Sequence, residues 1–186
     1  MEAIRKIEVN KVVKVILIAL FGTLLLTISA KIKIPFYPVP MTMQTFVILF
    51  LGITLGPKIG LLTVSLYLFE GIFGLPVFAG TPEKGIGFIY FTGPTMGYLI
   101  GFLVAVYFAG LFKYDKGIVN TFLKLLFSVS FIYILGLIWL GILIGWNKPI
   151  FKLGAEPFLL AELFKILLLS FLMPFLLKTK KKFKIT

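Results

Sequence analysis

The chain contains neither cysteine nor histidine. Without cysteine there is no disulfide framework, no thiol nucleophile and no thiolate metal site. Without histidine, acid–base catalysis and metal ligation fall to only seven carboxylates, most of them at the ends of apolar segments. Charge is scarce as well: 14% of the 186 residues are charged, against about 25% in an ordinary soluble domain. What remains is hydrocarbon, with 60% of residues hydrophobic and a mean hydropathy of +1.09. Lipid is the solvent that suits this composition, for a single integral-membrane domain spanning 1–186. The net charge of +12 would also suit nucleic acid. The basic residues cluster where apolar stretches end, however, which points to anionic lipid headgroups and away from nucleic acid.

Hydropathy and breakers divide the chain into six predicted transmembrane helices at 12–30, 43–55, 59–73, 92–112, 121–144 and 157–177. The first run follows Arg5, Lys6, Lys11 and Lys14 and ends in the small residues Thr27, Ser29 and Ala30, as a signal peptide also would. The unbroken series of further spans favours keeping it as a helix. Pro35, Pro38 and Pro40 remove backbone donors and make 34–40 a loop. Thr42 or Thr45 is placed to cap the second helix, and Gly56-Pro57-Lys58 turns the chain into the third. Both helices fall short of the roughly 20 residues that cross hydrocarbon unaided, so an end of each is expected in a protein-lined recess. The segment 71–91 is rich in Gly and Pro yet carries many aromatics, a composition suited to a lid.

With the N-terminus in the cytoplasm, thirteen of the 19 basic residues fall on that side and five outside, with Lys165 inside the last span. This bias obeys the positive-inside rule and requires an even number of spans, so both termini are expected in the cytoplasm. The Pro-rich loop, the aromatic loop and the start of the last helix then share the outer face, where a ligand pocket is expected in a compact all-α bundle.

Glu162 and Lys165 stand out because they interrupt a segment of Leu, Phe, Ile, Ala and Met. Three helical positions separate them by about 4.5 Å of rise and about 300° of azimuth, so both can face one cavity. Intramembrane ionisable groups mark binding sites or conducting paths, and mutual neutralisation with snorkelling is the structural alternative. A ligand offering both N–H and C=O groups would use such a pair. Glu70 lies near the outer end of the third helix, either lining that cavity or sitting at headgroup level. Gln44 can orient a polar ligand edge or form a local turn bond. Tyr98 serves as a rigid pocket wall or as an interfacial belt residue. Gly97-x-x-x-Gly101 permits close helix approach, and Ala19-x-x-x-Thr23-x-x-x-Thr27 offers a small-residue stripe for a partner helix or for internal packing. No nucleophile–base assembly, metal set or phosphate-binding Gly-Lys-Ser/Thr loop emerges, so ATP-driven work would need another chain.

Four runs carry a family resemblance: Pro38-Val39-Pro40-Met41-Thr42-Met43-Gln44-Thr45, Leu51-Gly52-x-x-Leu55-Gly56-Pro57-Lys58, Gly71-x-x-Gly74-Leu75-Pro76-Val77-Phe78-Ala79-Gly80 and Gly93-Pro94-Thr95-x-Gly97-Tyr98-Leu99-x-Gly101-Phe102. Together they resemble the BioY family, the biotin-specific S components of energy-coupling factor (ECF) transporters. The family pattern Pro-Phe-x-Pro-Gly-Asp-x-x-Lys reads here Pro157-Phe158-Leu159-Leu160-Ala161-Glu162-Leu163-Phe164-Lys165, so Glu162 stands for Asp and Leu160-Ala161 for Pro-Gly. The resemblance implies a six-helix fold in a prokaryotic cell membrane, capture of biotin from outside and no enzymatic activity. It also implies a transmembrane coupling protein (T component) and two cytoplasmic ATPase subunits as partners, with Ala19 and Thr23 on the partner face. Biotin itself implies that Glu162 accepts a ureido N–H, and that Lys165 donates to the ureido oxygen or stabilises Glu162. Its carboxylate would meet backbone N–H groups near Gly80, Lys84 or Lys165. Another vitamin, a membrane-embedded enzyme and a non-transporting assembly protein are the competing readings.

Overall fold

A computed structural model describes residues 2–34, 37, 39, 41–83 and 85–183, with side chains for 10–33, 37, 39, 41–83 and 85–177. Lys84, the basic tail at 178–184 and most of the Pro-rich stretch therefore carry expectations that lie outside the described side chains. In chain order come α1 (Glu2–Lys31), a two-residue strand pair β1 (Lys33–Ile34) and β2 (Met41–Thr42), α2 (Gln44–Ile72), a 3-10 helix (Gly87–Thr92), α3 (Met96–Leu111), α4 (Gly117–Ile144), α5 (Ile150–Gly154) and α6 (Glu156–Phe183). The strands pair antiparallel, Lys33 opposite Thr42 and Ile34 opposite Met41, which brings the two ends of the Pro-rich loop together.

This is an all-α polytopic membrane bundle, but its helices differ from the six expected. Four are long and apolar enough to cross a membrane: Asn10–Lys31, Gln44–Ile72, Gly117–Ile144 and Glu156–Leu177. The expected spans 43–55 and 59–73 form the single element α2, and the expected 92–112 contracts to Met96–Leu111, preceded by the 3-10 helix Gly87–Thr92. Within α2, Gly56 leaves the helical region at φ 78° and ψ 175°, a conformation open essentially only to glycine, and Pro57 follows. The chain reverses there. Gln44 Nε2 meets the Tyr67 hydroxyl at 2.8 Å, and the backbone of Gly52 approaches Gly60, as in a helical hairpin.

Between lipid-facing helices there is little hydrophobic drive to associate, so close packing has to hold them. At α3 and α4 glycine supplies it: a Cβ on Gly101 would lie 2.6 Å from Ile132 Cα, and one on Gly97 would overlap the Leu135 carbonyl oxygen. The Trp139 indole N–H donates to the Gly93 carbonyl at 2.9 Å and fixes the same crossing. Ile48, Leu49, Val64, Tyr67, Val106, Leu125 and Leu169 are buried, whereas Phe21, Ile142, Phe164 and Phe175 point outward as lipid-facing residues do.

Candidate functional site

Pro157 stands in the first turn of α6, where its missing N–H leaves no helical bond unmade. Further along the same helix, Glu162 and Lys165 turn into the bundle and are 4% and 6% exposed. Their charged atoms lie 3.3 Å apart. The Lys165 ammonium also donates to the Thr42 carbonyl at 2.8 Å and to Thr45 Oγ1 at 3.0 Å, so its three hydrogens are all engaged within the protein. Glu162 Oε2 accepts from Lys165, from the Thr45 hydroxyl at 3.0 Å and from the Tyr133 hydroxyl at 3.1 Å. Glu162 Oε1 is buried and has no hydrogen-bond partner among the described residues. The carboxylate is thus saturated on one oxygen and bare on the other, which leaves a strong acceptor with a desolvation cost of at least about 1–3 kcal/mol unless an N–H reaches it.

These side chains border a narrow slot, a cavity of about 60 Å³. One wall is polar: Gln44 and Thr45 from the start of α2, with Glu162 and Lys165 from α6. The rest of the lining is mainly apolar: Leu99 and Phe102 of α3, Ile132 and the ring of Tyr133 of α4, and Phe158 of α6. Ala79 and Tyr90 come from the aromatic segment after α2. Tyr98 lines the slot edge-on to Tyr133, with ring centroids 6.2 Å apart, and its hydroxyl donates to the Gly154 carbonyl at 2.8 Å. Such a slot grips an apolar body between rings and offers hydrogen bonds along one edge. Among the described residues no three His, Cys, Asp or Glu side chains gather to hold a metal.

Glu162, Lys165, Gln44 and Tyr98 are therefore brought together, and other expected residues are not. Glu70 sits at the α1–α2 contact, accepting from the Thr23 hydroxyl at 3.0 Å, and does not line the slot. Thr23 and Ala19, expected on a partner face or in internal packing, are 4% and 2% exposed in the single chain. Gly80 is buried beside the lining residue Ala79 without lining the slot itself. Thr45 and Tyr133 were missed as site residues. A threonine at a helix start reads as a cap, and only its 117-residue separation from Glu162 in the chain makes it more. Tyr133 did leave a signal, since a phenol halfway along an apolar span must find a partner for its hydroxyl.

Residues 3–182 match the sequence model of the BioY family. The chain is 39% identical over 155 residues to a probable biotin transporter BioY of Pyrococcus horikoshii, covering 83% of this chain and 90% of that protein. It is 35% identical over 145 residues to the biotin transporter BioY of Thermotoga maritima, covering 77% and 84%. Its fold is similar to the crystal structure of the S component for biotin from an ECF-type ABC transporter, with a TM-score of 0.75, 29% identity, and 91% and 93% of the two chains covered. With nearly its whole length matched and a slot built from the same segments that carry the motifs, the chain belongs to the BioY family.

Proposed function

We propose that this chain captures biotin with high affinity at the outer face of the membrane, as the substrate-binding S component of an ECF-type transporter. The observation that carries this reading is Glu162 Oε1, a buried acceptor with no hydrogen-bond partner among the described residues, at the edge of a slot walled by tyrosines and aliphatic side chains. Biotin's ureido group has two N–H donors and one carbonyl on a compact apolar bicycle. One N–H meets Oε1, and the bicycle packs against Tyr98 and Tyr133. The three bonds of Lys165 favour the role of holding Glu162 in place, which leaves the ureido oxygen to Gln44. The carboxylate extends toward the backbone near Gly80 and toward Lys84. The names borne by the relatives support the substrate.

The finer topology belongs to the same proposal: six crossings, with α2 contributing two through the reversal at Gly56, and both termini cytoplasmic. The excess of basic residues on that side supports it. A coupling protein and two ATPase subunits supply the energy for release inside. Native mass spectrometry of the gently purified protein tests the substrate: a retained mass equal to biotin is expected, and retention of a different vitamin overturns the assignment.

A further inference from the structure

One hydrogen-bonded chain leaves the ligand slot and ends on the loop after α2. Lys165, paired with Glu162, donates to the Thr42 carbonyl; the Thr42 hydroxyl donates to Gln44 Oε1 at 3.1 Å. Gln44 Nε2 donates to the Tyr67 hydroxyl at 2.8 Å, and that hydroxyl donates to the Val77 carbonyl at 3.0 Å. Tyr67 is fully buried and does not line the slot, so it touches no ligand. From Val77 the loop reaches the cavity at Ala79. Phe78 meets Tyr67 edge-on with centroids 5.3 Å apart and stacks on Tyr90 at 4.8 Å. It fills the space over Gly71, where any Cβ would collide with its ring. Ala79 lines the slot, and its carbonyl accepts from the Tyr90 hydroxyl at 2.6 Å.

We infer that Tyr67 is a positioning residue, whose hydroxyl ties the Gln44 amide in the slot to the Val77–Ala79 backbone and so holds the loop down when ligand fixes Gln44. This rests on the capture reading above. The geometry favours a relay over simple packing because both partners of the hydroxyl are buried in the same direction of donation, amide to phenol to carbonyl, and such chains strengthen bond by bond. A ligand carbonyl held by the second Gln44 N–H fixes the amide, and with it the Tyr67 hydroxyl that grips Val77. Lys31 provides the contrast. Its ammonium holds the same loop through the Phe78 carbonyl at 3.0 Å and the Thr81 carbonyl and hydroxyl, each at 3.1 Å, and among the described residues it bonds to no side chain of the slot.

The absence of cysteine from the chain makes a direct test possible. Val77→Cys places a single thiol at a position 7% exposed, and its rate of maleimide labelling reads how often the loop lifts. In the full-length protein, Tyr67→Phe is expected to raise that rate about fivefold without ligand, the scale of one neutral hydrogen bond. It is also expected to abolish the further slowing that biotin causes in the Tyr67 background. Lys31→Met is expected to raise labelling too, while leaving biotin's slowing intact. In parallel, Tyr67→Phe should raise the biotin off-rate about fivefold with little change in the on-rate. Equal behaviour of the two variants, or unchanged labelling in Tyr67→Phe, overturns the inference. If the unmodified chain binds no biotin, the capture reading fails, and the ligand-free labelling difference still decides whether Tyr67 holds the loop.

Discussion

Lys165 has no hydrogen to spare, and that changes what its loss should do. Lys165→Ala leaves the buried Glu162 carboxylate without its cation, so it should lower thermal stability by about 3–5 kcal/mol as well as weaken ligand binding by about 2–5 kcal/mol. Thermal denaturation and radioligand titration on the same preparation would check both. Binding that stays unchanged would remove the lysine from the site. Tyr133→Phe deletes one of three donors to Oε2 and keeps the ring, so a smaller loss of about 1.5–3 kcal/mol is expected from the same denaturation measurement. The ionisable pair was legible in the sequence because a charge in an apolar run has few innocent explanations. Its supporting hydroxyls were not, since Thr45 and Tyr133 acquire their role only when α2 and α4 meet α6. Along the chain Glu70 could line the cavity or sit at headgroup level, and the azimuth of α2 sends it to Thr23 and away from the slot.

Helix boundaries were read best where a breaker acts locally. Gly56-Pro57 stops one rod and starts another, and the structure reverses the chain there. A Cβ at Gly56 would have open space around it, so Gly56→Ala carries conformational strain alone and should cost about 1–3 kcal/mol. Gly101→Leu is different, because its side chain must enter the backbone of α4 at Ile132. Overpacking of that kind should exceed the Gly56→Ala loss and push α3 from α4, widening the slot between Leu99 and Ile132. Comparing the two melting temperatures tests the distinction, and a Gly101→Leu protein as stable as Gly56→Ala would deny the tight crossing. The Gly97 and Gly101 spacing announced a close contact without naming its partner. Likewise the stripe of Ala19 and Thr23 was readable as a packing face, but small residues fit a neighbouring helix of the same chain as readily as one from another protein. The 3-10 winding of Gly87–Thr92 and the strand pair at Lys33–Thr42 left no periodic signal, being too short to have a period.

At the scale of the whole molecule, lipid-facing side chains surround the polar slot among the described residues. Six crossings require Glu83 and Lys116 to face opposite sides of the membrane. In intact cells, an impermeant maleimide should label Glu83→Cys and leave Lys116→Cys unlabelled until the membrane is opened; labelling of both from outside would break the topology. The deeper commitment is that the bare oxygen of Glu162 is there to receive a ligand N–H. Titrating purified wild type and Glu162→Gln with radiolabelled biotin measures it directly. Wild type should bind one biotin per chain, and the variant should bind more weakly by about 2–5 kcal/mol, roughly 30- to 5,000-fold. Equal affinity in the two proteins would mean that the carboxylate is not the group the ligand meets.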